Sequence, residues 1–150
     1  MIIRPAEETD LPIIIKLLSD DILGSKRENY MTPIPESYYQ AYKDIRKDKN
    51  QELVVMNSSS GDIVGTLQLT FIPYLTYLGG RRSQIEAVRV SKDQRGKGYG
   101  RILFEWAIKR SREEGVHLVQ LTTDKDRSGA IEFYRTLGFK DSHLGMKLHL

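Results

Sequence analysis

The sequence predicts a mixed α/β fold (an α+β mixed sheet), in which a mostly antiparallel sheet carries helices on both faces. Helix-like and strand-like apolar patterns follow one another in the order β-α-α-β-β-β-α-β-α-β. Three of the strand-like segments follow one another with turn and glycine signals between them, which is typical of an antiparallel meander. A glycine-rich turn then connects the last of these strands to a helix.

The first third of the chain predicts one strand and two helices. Residues 1–4 form the strand, and Thr9 is the predicted N-cap of the first helix. That helix has apolar residues at helical spacing, namely Leu11, Ile14, Ile15 and Leu18. The stretch 24–35 is polar and irregular, and the second helix is predicted over 36–47.

The rest of the chain, from residue 52 onward, predicts the three strands of the meander, followed by two helices and two further strands. Meander strands are predicted over 52–57, 63–72 and 83–90, with turn residues between them. A helix over 99–114 ends at Gly115, a strand covers 117–123, and a helix over 128–137 ends at Gly138. A last strand is predicted from alternation, with Leu144, Met146, Leu148 and Leu150 on one side.

Composition excludes several classes of protein. A chain of 150 residues with 39% hydrophobic residues fits one folded domain over 1–150. No apolar run approaches the ~20 residues that span a bilayer, and the N-terminus has no signal-peptide pattern. We therefore expect no membrane partner and a cytoplasmic location. The absence of cysteine excludes disulfides, thiolate zinc sites and a cysteine nucleophile.

The charge is modest in total but uneven along the chain. With 23 basic and 20 acidic residues the net charge is +3, so we expect no nucleic-acid partner. The region 81–101 is locally basic, with Arg81, Arg82, Arg89, Lys92, Arg95, Lys97 and Arg101. Such a patch suits a small polyanion such as a nucleotide cofactor, and a solvated surface face is the alternative.

A glycine loop follows the third meander strand. The sequence Arg95-Gly96-Lys97-Gly98-Tyr99-Gly100 lies between a strand and a helix N-terminus, an arrangement that binds phosphate or pyrophosphate through backbone N–H groups. No G-x-x-x-x-G-K-[ST] is present, which argues against a P-loop. The G-x-G-x-G spacing and the lack of an earlier βαβ unit disfavour a dinucleotide-binding Rossmann site.

The glycine loop and a second motif, which begins about thirty residues after it, together resemble one family. Arg95, Gly98 and Gly100 resemble the Q/R-x-x-G-x-G/A core of the GCN5-related N-acetyltransferase (GNAT) family, and residues 130–139 resemble its A-x-x-F-Y-x-x-L-G-F stretch. The N-terminal residues 3–6, with Asp10 and Leu11, are also typical of it. The resemblance spans essentially the whole chain, and it implies a GNAT-like acyl-CoA N-acyltransferase fold with acetyl-CoA as cosubstrate and no metal.

The resemblance also implies which residues bind the cofactor. The strand before the loop would pair with the pantetheine arm of CoA through its backbone, and loop N–H groups would hold the pyrophosphate. Arg127 stands where many members have asparagine, so its contact with the cofactor is left open. The cofactor-binding residues expected on this basis are Val88, Arg89, Val90, Arg95, Gly96, Lys97, Gly98, Tyr99, Gly100, Arg101 and Arg127.

Catalytic roles are implied for two residues. Tyr134 matches the family's general acid, which protonates the departing thiolate, and a core tyrosine is the alternative. Glu86 is the candidate general base, placed by its spacing on the same strand face as Val88, with a salt-bridged glutamate as the alternative. Asp124 and Asp126 are weaker candidates for the base. The three histidines, His117, His143 and His149, lack metal-ligand spacing.

Without cysteine, we expect direct attack of the amine within a ternary complex, where positioning supplies most of the rate. The expected acceptor is a small-molecule amine. A protein amine as acceptor and a non-catalytic acyl-CoA-binding regulatory module remain alternatives, and a homodimer is left open. The residues that select the acceptor are expected in the stretches 24–39 and 73–82 and in the C-terminal strand. The first two stretches contain tyrosines that are candidates to line an acceptor pocket, with ordinary packing as the alternative: Tyr30, Tyr38, Tyr39, Tyr74 and Tyr77.

Overall fold

The computed structural model describes residues 1–20, 24–125 and 127–150, and it contains a five-stranded sheet in the order β1-β2-β3-β4-β5. The pairs β1–β2, β2–β3 and β3–β4 are antiparallel, and β4–β5 is parallel. The predicted mostly antiparallel mixed sheet is therefore confirmed. The strands are β1 (Ile2–Pro5), β2 (Gln51–Asn57), β3 (Ile63–Pro73), β4 (Arg81–Val90) and β5 (Leu118–Leu121).

The helices Glu36–Lys47 and Tyr99–Glu113 begin where the sequence predicts, and Gly115 and Gly138 have the positive φ expected just after a helix (69° and 91°). No helix in the described ranges is both long and apolar enough to cross a membrane. The helical segments are α1 (Leu11–Ser19), α2 (Gly24–Arg27), α3 (Glu36–Lys47), the single turn α4 (Thr76–Gly79), α5 (Tyr99–Glu113) and α6 (Ser128–Thr136).

Each face of the sheet carries its own apolar core, so helices do pack on both faces. On one face, α5 contributes side chains to a core whose buried members include Met56, Leu67, Leu69, Phe71 and Leu103. On the other face, α1 and α3 enclose a core that includes Leu11, Ile14, Ile15, Tyr42 and Val55. Burial of each such aliphatic or aromatic side chain contributes about 1.5–3 kcal/mol.

The start of α1 differs from the prediction. Thr9 is not its N-cap, because a 3₁₀ turn (Glu8–Asp10) precedes the helix and Asp10 takes the capping position. The Asp10 carboxylate accepts hydrogen bonds from the Glu7 N–H (2.8 Å) and from Arg4 (2.6 and 3.0 Å). Burial opposes ionisation of Asp10, but these hydrogen bonds and the Arg4 charge outweigh it and hold its pKa below the ordinary value.

Three other predictions are also corrected. The irregular stretch 24–35 begins with the helical turn α2, and β5 covers only part of the predicted strand 117–123.

The predicted final strand 144–150 is wrong, because the described residues there form no strand. Alternation shows which side chains could share a face, but a strand also needs a partner edge and a covering layer. The four alternating residues instead lie largely exposed: Leu144 (74%), Met146 (90%), Leu148 (86%) and Leu150 (115%).

A buried pair of serines fixes α5 on β4. Ser83 and Ser111 are fully buried, their hydroxyl oxygens are 2.8 Å apart, and Ser111 also donates to the Ala107 carbonyl. Replacing Ser111 by Ala leaves the Ser83 hydroxyl buried without a partner, so we expect a loss of about 1–3 kcal/mol in the free energy of unfolding. Urea unfolding measures it. The Ser83→Ala/Ser111→Ala double variant should lose less than the sum of the single variants, and strict additivity would contradict the pairing.

Candidate functional site

A bulge interrupts β4 next to the glycine loop. Thr66 pairs with Arg89 and Gln68 pairs with Glu86, so one residue of β3 lies opposite two residues of β4. Within the bulge, Ala87 has a φ of 54°, in the left-handed region that non-glycine residues rarely adopt. Such strained positions concentrate at functional sites, and this one marks the middle of β4 as a candidate.

The bulge changes which side chains of β4 share a face. Val88 and Val90 pack with Ile85 against the core under α5. Glu86 is paired with Gln68 on β3 and therefore lies on the opposite face. The expectation that Glu86 and Val88 share a face is thus wrong, because the extra residue between them shifts the alternation by one.

The outer edge of β4 is open beyond the bulge. Strand β5 ends at Leu121, opposite Ile85, so in the described part of the chain residues 86–90 have no strand partner on that side. Side chains reach two backbone carbonyls of this segment: Arg89 donates to Val88 (2.9 Å) and Arg95 donates to Val90 (3.2 Å). An extended ligand can hydrogen-bond to such an edge as an added strand.

The glycine loop ends at the N-terminus of α5. Gly96 and Gly98 have φ values of 78° and 83°, and Gly98 is the N-cap of the helix. The hydrogen bond from Ile102 N–H to the Gly98 carbonyl (3.2 Å) begins the helix. An α-helix leaves the N–H groups before this point without intrahelical acceptors, and its dipole adds a positive potential there. The loop therefore presents backbone donors suited to phosphate, as predicted.

Three arginines line a cavity of about 190 Å³ between the open edge and the loop. Arg89 comes from β4, Arg95 from the loop, and Arg127 from the N-cap position of α6. Val88 and Val90 form the rest of the lining. Arg95 also forms an ion pair with Asp20 (3.3 Å). Guanidinium groups suit phosphate oxygens. The structure thus brings together five of the residues predicted to bind the cofactor.

Other predicted cofactor residues link the two motifs to each other. Arg101 donates to the Thr136 hydroxyl on α6 (2.8 Å), and a Cβ on Gly100 would lie 3.8 Å from the Phe133 ring. Lys97 donates to Gln94 within the loop (3.0 Å), and Tyr99 packs against the core. The glycine loop and the Phe-Tyr stretch are therefore neighbours in space.

Tyr134 is half-buried in an aromatic cluster. Its ring centroid lies 5.3 Å from that of Phe104, 5.7 Å from that of Phe133 and 6.3 Å from that of Phe139. Among the hydrogen bonds of the residues that the structure describes, none involves the Tyr134 hydroxyl. The ring is thus held by packing, and its hydroxyl can serve a ligand. Tyr134 does not line the arginine cavity.

Glu86 is exposed, and it forms no ion pair with any residue within 1–20, 24–125 and 127–150. It also lies outside the lining of the arginine cavity. Asp124 is exposed at the start of the segment before α6, and Asp126 lies outside the described residues. In the described part of the chain, no group of three or more His, Asp or Glu side chains is placed to hold a metal ion.

Polar side chains that the sequence analysis missed share the face of Glu86. Gln51 accepts hydrogen bonds from Gln68 (3.0 Å) and Thr70 (2.8 Å), and Gln120 donates to Gln84 (2.7 Å). We call these five residues the polar floor. The alternation of Gln68 with Thr70 on β3, and of Gln84 with Glu86 on β4, is the sequence signal that could have found it.

The five tyrosines expected near the acceptor have different surroundings. Tyr38 donates to Glu28 (3.1 Å) and accepts from the Asn29 N–H (3.0 Å), and Tyr39 packs on the core under α1 and α3. Tyr30 is 45% exposed. Tyr74 and Tyr77 form an aromatic group with His117, and the Tyr74 hydroxyl hydrogen-bonds the His117 ring.

The model of the acetyltransferase (GNAT) family matches residues 19–139. The L-methionine sulfoximine/L-methionine sulfone acetyltransferase of Pseudomonas aeruginosa is 29% identical over 140 residues, which cover 93% of this chain and 80% of that protein. The aminoalkylphosphonate N-acetyltransferase of Salmonella typhimurium is 28% identical over 114 residues, which cover 70% of each chain.

A solved structure matches the whole fold. It belongs to a protein from Bacillus halodurans C-125 that is described as a transcriptional regulator. The sequence identity is 53%, the TM-score is 0.95, and the match covers 99% of each chain.

Proposed function

The chain belongs to the GNAT family of acetyltransferases, and from this premise we propose that it acetylates a small-molecule amine with acetyl-CoA as the donor. The observation that carries the proposal is the arginine cavity, which lies between the open edge of β4 and the glycine loop. A strand edge that can pair with a pantetheine arm thus lies beside a loop suited to a pyrophosphate, and acetyl-CoA contains both groups.

The residues present fit acetyl-CoA. The backbone of 86–90 would hold the pantetheine arm, the N–H groups at the start of α5 would hold the pyrophosphate, and Arg127 would add a charged contact to a phosphate. When bound, acetyl-CoA supplies an acetyl group on a thioester whose thiol, with a pKa of about 8.5, is a fair leaving group. The task of the protein is then mainly to position the two substrates.

Two side chains would move the protons. Glu86 would accept a proton from the acceptor ammonium, directly or through a water, so that the neutral amine can form the new C–N bond. Tyr134 would donate its hydroxyl proton to the sulfur as the C–S bond breaks. The second proton lost by the attacking nitrogen would pass to solvent, from which Tyr134 is reprotonated. A cluster of aromatic rings holds Tyr134, and Glu86 has no ion-pair partner among the described residues, so both groups are available for these steps.

The relatives support a small acceptor. By their names, the Pseudomonas aeruginosa protein acetylates methionine sulfoximine and methionine sulfone, and the Salmonella typhimurium protein acetylates aminoalkylphosphonates. Both names describe small molecules. An amine on a protein remains the alternative acceptor, and a panel that contains both small amines and lysine peptides would separate them.

The 53%-identical protein described as a transcriptional regulator favours a second candidate, a regulatory module that binds acyl-CoA without turnover. Binding alone has no use for the Tyr134 hydroxyl or for the Glu86 carboxylate. We therefore favour catalysis. Tight binding of acetyl-CoA without thiol release across the amine panel would favour the regulatory module instead.

Cofactor binding is tested by Arg127→Ala. Loss of one charged contact to a phosphate should raise the Kd for acetyl-CoA about tenfold or more. Isothermal titration calorimetry measures this value, and Arg112→Ala, an exposed arginine of α5, is the matched control that should bind like the wild type. An unchanged Kd in Arg127→Ala would remove Arg127 from the site. Failure of the wild-type protein to bind acetyl-CoA would contradict the proposed function as a whole.

A further inference from the structure

A positively charged side chain lies at one end of the polar floor. Along β4, Arg82, Gln84 and Glu86 alternate onto the same face, because successive residues of a strand point to opposite sides and the bulge comes only after Glu86. The guanidinium carbon of Arg82 lies 4.9 Å from the centre of the Tyr74 ring. The floor is therefore bounded by a carboxylate at one end and a guanidinium at the other.

The guanidinium of Arg82 has no carboxylate partner among the described residues. Its Nε is buried and has no hydrogen-bond partner, and no ion pair joins Arg82 to a residue within the described ranges. The preceding residue, Arg81, shows the contrast, because it bonds to Glu114 (2.8 Å) and to Asn50 (3.1 Å). A buried donor without a partner is costly, so the arrangement suits a group that arrives with a ligand.

Aromatic residues hold the Arg82 side chain in place. Tyr74 supplies the ring beside the guanidinium, and the Tyr74 hydroxyl is fixed by its hydrogen bond to His117. Tyr77 packs on the same histidine, with ring centroids 4.9 Å apart. Stacking on a ring restrains a guanidinium while it leaves the N–H groups at its edge able to form bidentate bonds with an oxyanion.

We propose that Arg82 binds an oxyanion of the acceptor, so that the substrates are primary amines that carry a carboxylate or a phosphonate. The inference rests on the proposed function, since it places the acceptor on the face of Glu86. The amide and hydroxyl groups of the polar floor lie between the two ends and suit a polar acceptor chain.

The spacing of the two ends sets the shape of the acceptor. Arg82 and Glu86 are four residues apart on one strand, which places their Cα atoms about 13 Å from each other. The Arg82 guanidinium is held on the Tyr74 ring, so we expect the two side chains to leave part of this gap to the acceptor. The amine and the oxyanion therefore lie several bonds apart in the acceptor, farther than the amine and carboxylate of an α-amino acid.

The test compares charged and neutral acceptors in matched pairs. The carboxylate arm contains 4-aminobutyrate and 6-aminohexanoate, each beside its carboxamide, and the phosphonate arm contains 3-aminopropylphosphonate beside its diethyl ester. L-methionine represents an amine adjacent to its carboxylate. For each acceptor, kcat and KM are measured from thiol release with acetyl-CoA. The readout is the ratio of kcat/KM between the charged and the neutral member of a pair.

We expect the wild-type protein to prefer the charged member about 10²-fold, chiefly through KM, and to prefer 6-aminohexanoate over L-methionine. Arg82→Gln should reduce the ratio to near one, and Arg82→Lys should restore part of it. Arg112→Gln, which removes the same charge from an exposed position on α5, should keep the wild-type ratio. If Arg82→Gln fails to fold, the charged-to-neutral ratios of kcat/KM for the wild type and for Arg82→Lys still test the inference.

Several outcomes would overturn the inference. Equal use of charged and neutral members, a wild-type ratio in Arg82→Gln, preference for L-methionine, or turnover restricted to uncharged amines would each do so. All of these leave acetyl transfer intact. Absence of acetyl-CoA binding in calorimetry would instead refute the proposed function on which the inference rests, so the two failures are distinguishable.

Discussion

Replacing Tyr134 by Phe is expected to lower kcat about 10²- to 10⁴-fold and to leave the Kd for acetyl-CoA unchanged. The range is that of a positioned general acid, and activity should persist because the thiolate can leave without one. The Phe ring keeps the packing against Phe104, Phe133 and Phe139, and the lost hydroxyl has no hydrogen bond to a residue in the described ranges. Steady-state kinetics and calorimetry on the purified variant measure the two effects separately.

The control for this substitution is Tyr42→Phe. Tyr42 is buried away from the glycine loop, and its hydroxyl donates to the Ala6 carbonyl (3.0 Å). Its loss should reduce stability by about 1 kcal/mol and leave kcat intact. If Tyr134→Phe kept the wild-type kcat, Tyr134 would be only a packing residue.

Replacing Glu86 by Gln is expected to lower kcat/KM for the acceptor about 10²- to 10⁴-fold at neutral pH. A primary amine with a pKa of about 10 is almost wholly protonated there, so without a base only the small neutral fraction reacts. The activity of the variant should therefore rise about tenfold per pH unit toward that pKa and approach the wild-type rate at high pH. A pH profile of kcat/KM measures this convergence.

Two further variants decide whether the effect belongs to Glu86. Glu36→Gln, at an exposed position on α3, controls for the loss of one negative charge. Asp124→Asn tests the rival carboxylate before α6. A larger loss in Asp124→Asn than in Glu86→Gln, or a loss in Glu86→Gln that does not change with pH, would place the base elsewhere.

Local sequence signals predicted much of the fold. The apolar spacing of 36–47 predicted α3 correctly. The glycines at 98, 115 and 138 marked helix boundaries to within about one residue, because they adopt positive φ where other residues are strained. The residues expected to bind the cofactor are mostly close together in sequence. Locating the glycine loop therefore also located Val88, Val90 and Arg95, which line one cavity.

The face of the sheet that we propose for the acceptor could not be predicted in the same way. The bulge at Ala87 has no sequence signal, since alanine seldom adopts a positive φ, yet it decides that Glu86 faces away from Val88. The polar floor joins side chains from β2, β3, β4 and β5, which become neighbours only through strand register. The strand predicted over 144–150 was wrong for a different reason. The alternating pattern is present there, but in the described structure no strand pairs with this segment.

Direct acetyl transfer from acetyl-CoA to an amine is tested by initial-velocity kinetics. Both substrates are varied against each other, thiol release is followed, and the acetylated amine is identified by its mass. We expect amine-dependent thiol release with intersecting lines in the double-reciprocal plot, as a ternary complex requires. Parallel lines would indicate an acetylated enzyme instead, and acetyl-CoA binding without any amine-dependent thiol release would indicate a protein that does not catalyse the transfer. Either result would refute direct transfer.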